Sequence, residues 1–429
     1  MVKKYTVQQT PLLMCYWTFF ARKAIGLTRK LRFLLILTIH GTWALPAVMV
    51  IRLLRPILII RVGTFRYDRI GHFAADVGHQ WAKLHVQPRN IVDWYWLDGP
   101  TTNNQWEMMV RRNFSIYSWT KYLDFWNCFI PGGMVHHRPS TTNGSRDIEG
   151  LLERAQTKLK FLPSEDVDGK TWLRAQGWQE GEPFVCLLVR DSAYLNSEPK
   201  HSKRSWEYHK YRESDIETFI PAAKWLAEQG VWVLRMGKTM ARQIPMIHPK
   251  VIDYAFHPDK SDFLDVWLFA NCDLCITTLS GPDMISDVYR KPILAINFLP
   301  LLHLWSWSNV LHHPKKICWK DSGKTLSLIE YLDHSYLTSD QYRDNGIDIV
   351  DLKPNEITET VQECWHRIEG KWVVSSDEIE QQKQFFGVLR QSPEFSKYHG
   401  WIHPESRLSM SFLRNHHRSR RRNDLSVTL

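Results

Sequence analysis

Between residues 184 and 298, short apolar runs alternate with segments of helical spacing, and this order restricts the fold more than any other feature of the chain. Four runs read as strands, at residues 184–189, 231–234, 273–278 and 292–298. A β-α-β-α-β-α-β order with right-handed crossovers gives a parallel sheet. The sequence therefore predicts an open α/β unit, in which ligands bind beyond the carboxyl ends of the strands.

Three of these strands end in turns that suit a phosphate group. The turns are Arg190-Asp191, Arg235-Met-Gly237 and Ser280-Gly281, and Tyr211 and Arg212 follow the first of them. Arginine recognises phosphate through two parallel hydrogen bonds, and its charge does not depend on pH. A salt bridge explains any one strand-end arginine equally well, but three such turns at one sheet edge favour a phosphate-bearing ligand.

The turn Ser280-Gly281-Pro282-Asp283 joins a strand to a segment of helical spacing. A helix start presents unpaired backbone N–H groups, which bind anions. The sequence therefore predicts a diphosphate cradle at Ser280 and Gly281. Asp283 either binds a ribose hydroxyl or caps the helix, and a well-formed helix start without any ligand is the competing interpretation.

A second β-loop-α unit precedes this one. The apolar run at residues 56–62 leads into a loop with Arg66, Asp68, Arg69 and His72, and a helix and a second strand at 91–97 follow. Ionisable groups at a strand end are typical of a ligand site. We expect His72 or Asp68 to be a general base, with Asp191 as the alternative. A loop that contacts lipid head groups, or a structural histidine at a helix start, fits the same residues.

Charge is distributed unevenly along the chain, whose net charge is +10. Residues 1–69 carry twelve Lys or Arg and one acidic residue, and the nineteen residues 33–51 carry no formal charge. An uncharged run of this length with basic flanks is typical of a segment that spans or lies on an anionic membrane. A buried helical hairpin is the competing interpretation. We expect membrane association, with the globular part on the cytoplasmic face.

Seven widely spaced cysteines, an odd number, indicate reduced thiols, and the lone Cys272-x-x-Cys275 pair fits buried strand residues better than zinc. We expect no metal, and no cofactor besides a donor substrate. The arginine-rich tail is the only feature that suggests nucleic acid, and such tails are usually solvated ends. We therefore expect no nucleic-acid partner.

Several strings resemble a little-characterised family of bacterial glycosyltransferases with a GT-B-like fold, which occur with surface-polysaccharide biosynthesis. They cover about residues 50–310 and are LIIRVGTFRYDRIGHFA, FVCLLVRDSAYL, YHKYRESDI, GVWVLRMG, FANCDLCITTLSGPDM and KPILAINFLPL. The resemblance implies two Rossmann-like domains with parallel sheets facing a cleft. The expected boundaries are a membrane-associating segment 1–55, an acceptor domain 56–162, a linker 163–183, a donor domain 184–365, helices 366–402 and a disordered basic tail 403–429.

The resemblance also implies an activity. A glycosyl group would move from a nucleoside-diphosphate sugar to a hydroxyl of a glycan or lipid-linked acceptor at the membrane. The diphosphate would be bound by Arg190, Arg235 and the Ser280–Gly281 backbone, near Tyr211, Arg212, Gly237 and Asp283. Two alternatives remain open, namely a pyruvyl or phosphosugar transferase on the same fold and a non-catalytic scaffold of polysaccharide assembly.

Overall fold

The computed structural model describes residues 27–416, except residues 87, 89, 142 and 195–206. Its strands form a three-stranded parallel sheet, a seven-stranded parallel sheet and an antiparallel pair. The predicted α/β class with parallel sheets is therefore confirmed. The division of the chain into two Rossmann-like domains stays a prediction.

The small sheet is formed by the first part of the chain and has the strand order β2-β1-β3. Both strands predicted there are present, and β1 begins three residues later than expected. The elements in chain order are α1 (Leu27–Leu53), β1 (Ile59–Thr64), α2 (Ile70–Val86), β2 (Ile91–Trp96), α3 (Asn104–Asn113), α4 (Thr120–Cys128), β3 (His137–Arg138), α5 (Leu151–Ala155) and α6 (Pro163–Ala175).

The large sheet has the order β12-β9-β8-β7-β4-β5-β6. Counted from β4, six of its strands follow the Rossmann order 3-2-1-4-5-6, so the direction of winding reverses between β4 and β7. The elements are β4 (Phe184–Leu188), α7 (Ile220–Glu228), β5 (Trp232–Arg235), β6 (Val251–Ile252), α8 (Asp262–Asn271), β7 (Leu274–Thr277), α9 (Met284–Val288), β8 (Ile293–Phe298), β9 (Val310–Pro314), β10 (Lys316–Trp319), α10 (Leu328–Asp333), α11 (Ser339–Asp344), β11 (Ile347–Val350), α12 (Pro354–Ile368), α13 (Ser376–Gln391), α14 (Phe395–Tyr398) and β12 (Arg407–Leu408).

The central strands of the large sheet are apolar throughout because both of their faces are buried. Successive side chains of a strand point to opposite faces. In β4, Cys186 and Leu188 contribute to the core that continues toward the small sheet. Val185 and Leu187 contribute to a separate core under α7 and α12. Apolar runs of this kind therefore mark the buried strands in the sequence.

Two of the expected segments contain regular structure that was not predicted. The predicted linker 163–183 contains helix α6, which begins at Pro163 and packs its Gly169 against the indole ring of Trp267. The predicted disordered tail is ordered at least to residue 416, because Arg407–Leu408 pairs with β9 and residues 410–416 form a helix with buried side chains. Residues 417–429 lie outside the described part of the chain.

The cysteines also differ in part from the prediction. Five of the cysteines in the described residues are free, namely Cys186, Cys272, Cys275, Cys318 and Cys364. Cys128 is disulfide-bonded, so the expectation of reduced thiols is wrong at that position. Cys272 and Cys275 are buried, as the strand interpretation predicts.

Helix α1 contains the uncharged run of the sequence. Within the described residues it is the one helix long and apolar enough to cross a membrane, over Leu34–Leu53 with a mean hydropathy of 2.0. A narrow seam that includes Ala44 and Val48 packs on β1 and α4. Most of its other apolar side chains are exposed. Length and composition of this kind also occur in core helices and signal sequences, so only its exposed surface distinguishes α1 from a core helix.

The two sheets are joined where α2 meets the turn after β7 and helix α9. A Cβ atom placed on Gly71 would lie 3.0 Å from the Cα atom of Gly281, and one placed on Gly78 would lie 2.6 Å from the side chain of Val288. Glycine is therefore required on α2 for the helix to approach this closely. This contact fixes the loop after β1 against the turn after β7.

Gly78→Ala is expected to lower the free energy of unfolding by about 1–3 kcal/mol, because its methyl group overlaps the stiff side chain of Val288. The measurement is urea unfolding followed by tryptophan fluorescence. In a Val288→Ala background the same substitution should cost much less, since the overlapping atoms are removed.

The matched control is Gly387→Ala in helix α13, where no atom lies within 4 Å of the added Cβ. This substitution should raise stability by about 0.4–1 kcal/mol, because it restricts the unfolded chain without a clash. Equal effects of the two substitutions would contradict the close packing of α2 on α9.

Candidate active site

A crevice of about 550 Å³ lies where the loops after β1, β4, β5, β7 and β8 converge. The carboxyl ends of β4 and β7, between which the winding of the large sheet reverses, form part of its wall. This is the position at which open α/β sheets bind ligands. The loop after β1 closes the opposite side through Asp68, Arg69 and His72.

The predicted geometry of the three strand ends is present. Strand β4 lies between β5 and β7 in parallel register, with Leu187 opposite Arg235 and Leu188 opposite Thr277. The three strands therefore end at one edge of the sheet. Arg190 and Gly281 line the crevice, and Gly237 lines it with a positive φ of 153°.

Arg235 does not reach the crevice, and this part of the site prediction is wrong. Its side chain is 1% exposed and donates to the Asp253 carboxylate at 3.1 Å and to the carbonyl oxygen of Arg242. The guanidinium is thus neutralised inside the protein. A buried ion pair of this kind stabilises the fold only as long as both partners are present.

The predicted backbone cradle is also corrected. The N–H groups of Ser280 and Gly281 donate to the carboxylate of Asp283 at 2.8 and 2.7 Å, and the hydroxyl of Thr277 donates to the same group. Asp283 is fully buried, and burial raises its pKa. It therefore fixes the turn and neither faces a ribose nor leaves these two N–H groups free for a phosphate.

A cluster of cations takes the place of the cradle. The guanidinium groups of Arg190 and Arg212 line the crevice together with His209. Burial and the charge of Arg212 lower the pKa of Arg190 to about 10, and burial and both arginines lower that of His209 to about 4. Arg212 donates to the carbonyl oxygen of Leu279 in the turn after β7. The positive charges of this wall therefore repel one another.

Two further arginines, Arg69 and Arg146, line the crevice from the side of the small sheet. Arg146 lies over the ring of Tyr398, 4.6 Å from its centroid, and burial lowers its pKa. In the described part of the chain, none of the arginines 69, 146, 190 and 212 has a carboxylate oxygen within 4.0 Å. Within the described residues the crevice thus contains four arginines that form no direct ion pair, although Asp68, Asp191 and Asp265 also border it.

Tyr211 and Asp191 have mainly structural contacts. The Tyr211 ring is buried against Tyr342, although the residue borders the crevice. Each carboxylate oxygen of Asp191 accepts a backbone N–H group, from Ala193 and from Ala241, both at 2.9 Å. Asp191 therefore holds the loops after β4 and β5 together, which makes it less suited to act as a base.

His72 and Asp68 both border the crevice, but their surroundings differ. Asp68 has a largely exposed side chain, 3.6 Å from Arg66. Burial, followed by the charges of Arg66 and Arg69, lowers the pKa of His72 to about 4. The imidazole is therefore neutral near pH 7, and one of its two ring nitrogens has a lone pair that can accept a proton. Among the predicted bases, His72 combines partial burial with an unprotonated ring nitrogen near pH 7.

Several crevice residues were not predicted from the sequence. They include Arg146 and His209, and also Asp265, whose pKa burial raises to about 6. Trp305 and Trp307 also border the crevice, with ring centroids 6.1 Å apart. Arg146 follows a Gly-Ser turn and His209 stands three residues before Arg212. Neither follows a strand end, so the strand-end pattern could not identify them.

One group of possible metal ligands lies away from the crevice within the described residues. Ligand atoms of Asp124, Cys128 and His137 are within 4.8 Å of one another. Cys128 is already disulfide-bonded, and Asp124 accepts hydrogen bonds from His137 and from Trp96. A thiolate is therefore not available there, and we assign no metal to this group.

No protein-family model matches the chain, and no curated protein matches it. Among solved structures, a glycosyl transferase family 9 protein from Veillonella parvula is similar at 11% identity and a TM-score of 0.37, over 60% of this chain and 86% of that one. The E. coli ADP-heptose lps heptosyltransferase II is similar at 11% identity and a TM-score of 0.38, over 72% and 100%. Both are sugar transferases. These TM-scores are below 0.5, so nothing about this chain is inferred from them.

Arg235→Ala and Arg190→Ala are expected to affect stability very differently. Arg235→Ala leaves the Asp253 carboxylate without its partner and should cost about 3 kcal/mol in urea unfolding. Arg190→Ala removes a cation that lies among other cations and should change stability by less than about 1 kcal/mol.

Arg343→Ala serves as the control for both, because its guanidinium is exposed and paired with Asp340 and Asp344 at the surface. Its effect on stability should be close to zero. Similar losses for Arg235→Ala and Arg190→Ala would show that the two guanidiniums do not differ in their surroundings.

Proposed function

We propose that the protein is a glycosyltransferase that takes its donor, a nucleoside-diphosphate sugar, into the crevice. One observation supports this most strongly, namely the four arginines that border the crevice without an acidic partner in the described residues. Concentrated positive charge without counter-ions is costly to the folded state and favours a bound anion. A diphosphate supplies two adjacent charged groups, each suited to a guanidinium.

The rest of the crevice suits the other parts of such a donor. Its volume of about 550 Å³ lies in the range of small-molecule sites. Apolar and aromatic side chains, among them Phe269, Leu299 and Trp305, border it beside the cations. An aromatic face can stack on a base or on a sugar ring. A ligand with a charged centre and two less polar ends is therefore well matched.

The chemistry follows from this arrangement. In the transfer, the acceptor hydroxyl loses its proton to a base, its oxygen bonds to the anomeric carbon, and the bond from that carbon to the diphosphate oxygen breaks. Negative charge develops on the leaving diphosphate, and fixed cations such as Arg190 and Arg212 lower the barrier by stabilising it. We assign the base role to His72, which is neutral near pH 7.

The test is calorimetric titration of the full chain with UDP, GDP, ADP and CMP and with their sugars. We expect one nucleotide class to bind, and at about one hundred times its dissociation constant to stabilise the protein by about 2.7 kcal/mol. Arg190→Ala and Arg212→Ala should each weaken binding at least about tenfold, because a charge-assisted hydrogen bond is lost. Arg343→Ala should leave the affinity unchanged.

The alternatives predict other results. A non-catalytic scaffold binds none of these nucleotides, and that outcome would contradict the proposed function. A pyruvyl or phosphosugar transferase on the same fold binds a phosphorylated ligand but releases no nucleoside diphosphate when donor and acceptor are mixed. Measuring the released diphosphate therefore separates glycosyl transfer from the other transferase reactions.

We also infer that α1 lies in the plane of an anionic membrane surface. Its exposed face carries Leu35, Ile39, Trp43, Met49 and Val50, each at least 37% exposed. The sequence around it is strongly basic, which suits anionic head groups. A large apolar face beside basic residues is typical of an interfacial helix.

Contacts along α1 favour this orientation over a membrane span. The ring of His40 stacks on Tyr122 at 3.7 Å, and the indole of Trp126 donates to the carbonyl oxygen of Leu37. Arg52 donates to Asn127 and to two carbonyl groups after α4. Because α4 and the loop after it pack against α1, a span would take polar groups of α4 into the bilayer.

In flotation with vesicles of anionic and of zwitterionic phospholipid, we expect the full chain to float with the anionic vesicles preferentially. Ile39→Glu combined with Met49→Glu should abolish flotation, because both side chains are exposed on the same helix. Val373→Glu, at an even more exposed apolar position outside α1, is the control and should float normally. Flotation of all three proteins alike would contradict a docking role for α1.

A further inference from the structure

His72, Ser145 and Asp76 form a continuous hydrogen-bonded chain on the small-sheet side of the crevice. The Nδ1 atom of His72 lies 2.7 Å from the hydroxyl oxygen of Ser145. That hydroxyl donates to the Asp76 carboxylate, at 3.1 and 3.2 Å from its two oxygens. Asp76 is fully buried and Ser145 is 4% exposed, whereas His72 borders the crevice. The chain therefore leads from the protein interior to the proposed base.

With Asp76 ionised, the chemistry of the three groups fixes the direction of these hydrogen bonds. A carboxylate only accepts hydrogen bonds, and a serine hydroxyl has a single proton to donate. The proton of Ser145 is therefore directed to Asp76, and the serine oxygen has only lone pairs left for His72. It follows that Nδ1 of His72 carries a proton and donates it to Ser145 Oγ.

We propose that Asp76 and Ser145 are positioning residues, which hold His72 in the tautomer whose Nε2 lone pair accepts the proton of the acceptor hydroxyl. The base role rests on the proposed function, whereas the tautomer is a property of the free protein. A buried carboxylate that orients an imidazole through its Nδ1–H group is a recurring arrangement in proton transfer. Here a serine hydroxyl stands between the two groups.

The backbone supports this assignment. His72 and Asp76 are four residues apart on α2, which places them on one face of the helix. Ser145 comes from a distant loop and has a φ of +65°, in the left-handed region that favours glycine. The backbone at this position suits glycine better than serine. What serine adds there is its hydroxyl group. Ser145→Gly therefore removes the hydroxyl without straining the fold.

The test is ¹⁵N NMR of the full chain with labelled histidine at pH 8, with His72→Gln used to assign the His72 signals. We expect Nδ1 of His72 to be protonated and Nε2 to be unprotonated. In Ser145→Gly the proton should move in part to Nε2, because Nδ1–H has lost its acceptor. Asp76→Asn should have the same effect, since its amide can donate to Ser145 and release the hydroxyl proton toward Nδ1.

Asn143→Gly is the matched control. Asn143 lies in the same loop with a φ of +51°, but its exposed side chain is not part of the hydrogen-bonded chain. Asn143→Gly should leave the tautomer of His72 unchanged. Melting temperatures should confirm that both glycine variants are folded. Protonated Nε2 in the unmodified protein, or an unchanged tautomer in Ser145→Gly, would overturn the proposal.

A kinetic measurement separates this inference from the proposed function. In a transfer assay, Ser145→Gly should lower kcat about tenfold to a hundredfold with KM unchanged, because the base is misoriented while the donor still binds. An unchanged kcat would also overturn the positioning role. Failure of the unmodified protein to bind any nucleotide would contradict the proposed function alone, since the tautomer is measured without a substrate.

Discussion

The crevice depends on one buried carboxylate. Asp283 accepts hydrogen bonds from Ser280, Gly281 and Thr277 and thereby fixes the turn that follows β7. Gly281, with a φ of 129°, presents its bare backbone to Gly71 at the start of α2. The loop after β1 is thus brought over the switch point of the large sheet. These hydrogen bonds already occupy the backbone N–H groups of Ser280 and Gly281. An anion in the crevice would therefore be bound by side chains.

The alternation of side chains between the two faces of the sheet explains why Arg235 and Arg190 have different surroundings. Arg235 lies opposite Leu187, and side chains in register on parallel strands point to the same face. Leu187 belongs to the core under α7 and α12, so Arg235 points into the protein, where Asp253 neutralises it. Arg190 is three positions beyond Leu187, so its side chain points to the opposite face of the sheet. Its guanidinium reaches the crevice, where repulsion from Arg212 makes a bound anion favourable.

The sequence predicted the features that depend on local pattern and missed those that depend on distant contacts. Apolar runs located strands β1, β2, β4, β5, β7 and β8, but not β9, which is also buried, and a glycine turn located the edge at which the central strands end. The contact of Ser145 with Asp76 joins residues 69 positions apart, and no local pattern reports it. Because the sequence after residue 403 is polar, the burial of Leu408 and Phe412 was not predicted. Both side chains are buried because β12 joins the sheet.

In the proposed function, donor binding and base strength are coupled through charge. After burial, the charges of Arg66, Arg69 and Arg146 lower the pKa of His72, and Arg69 acts on His209 as well. An anion held between these cations offsets part of their charge, so it raises the pKa of His72 toward its ordinary value. By linkage, a stronger base and a bound anion then favour one another. In this proposal the arginines of the crevice keep the base weak until a negative ligand is present, and the Asp76–Ser145 chain keeps the imidazole oriented throughout.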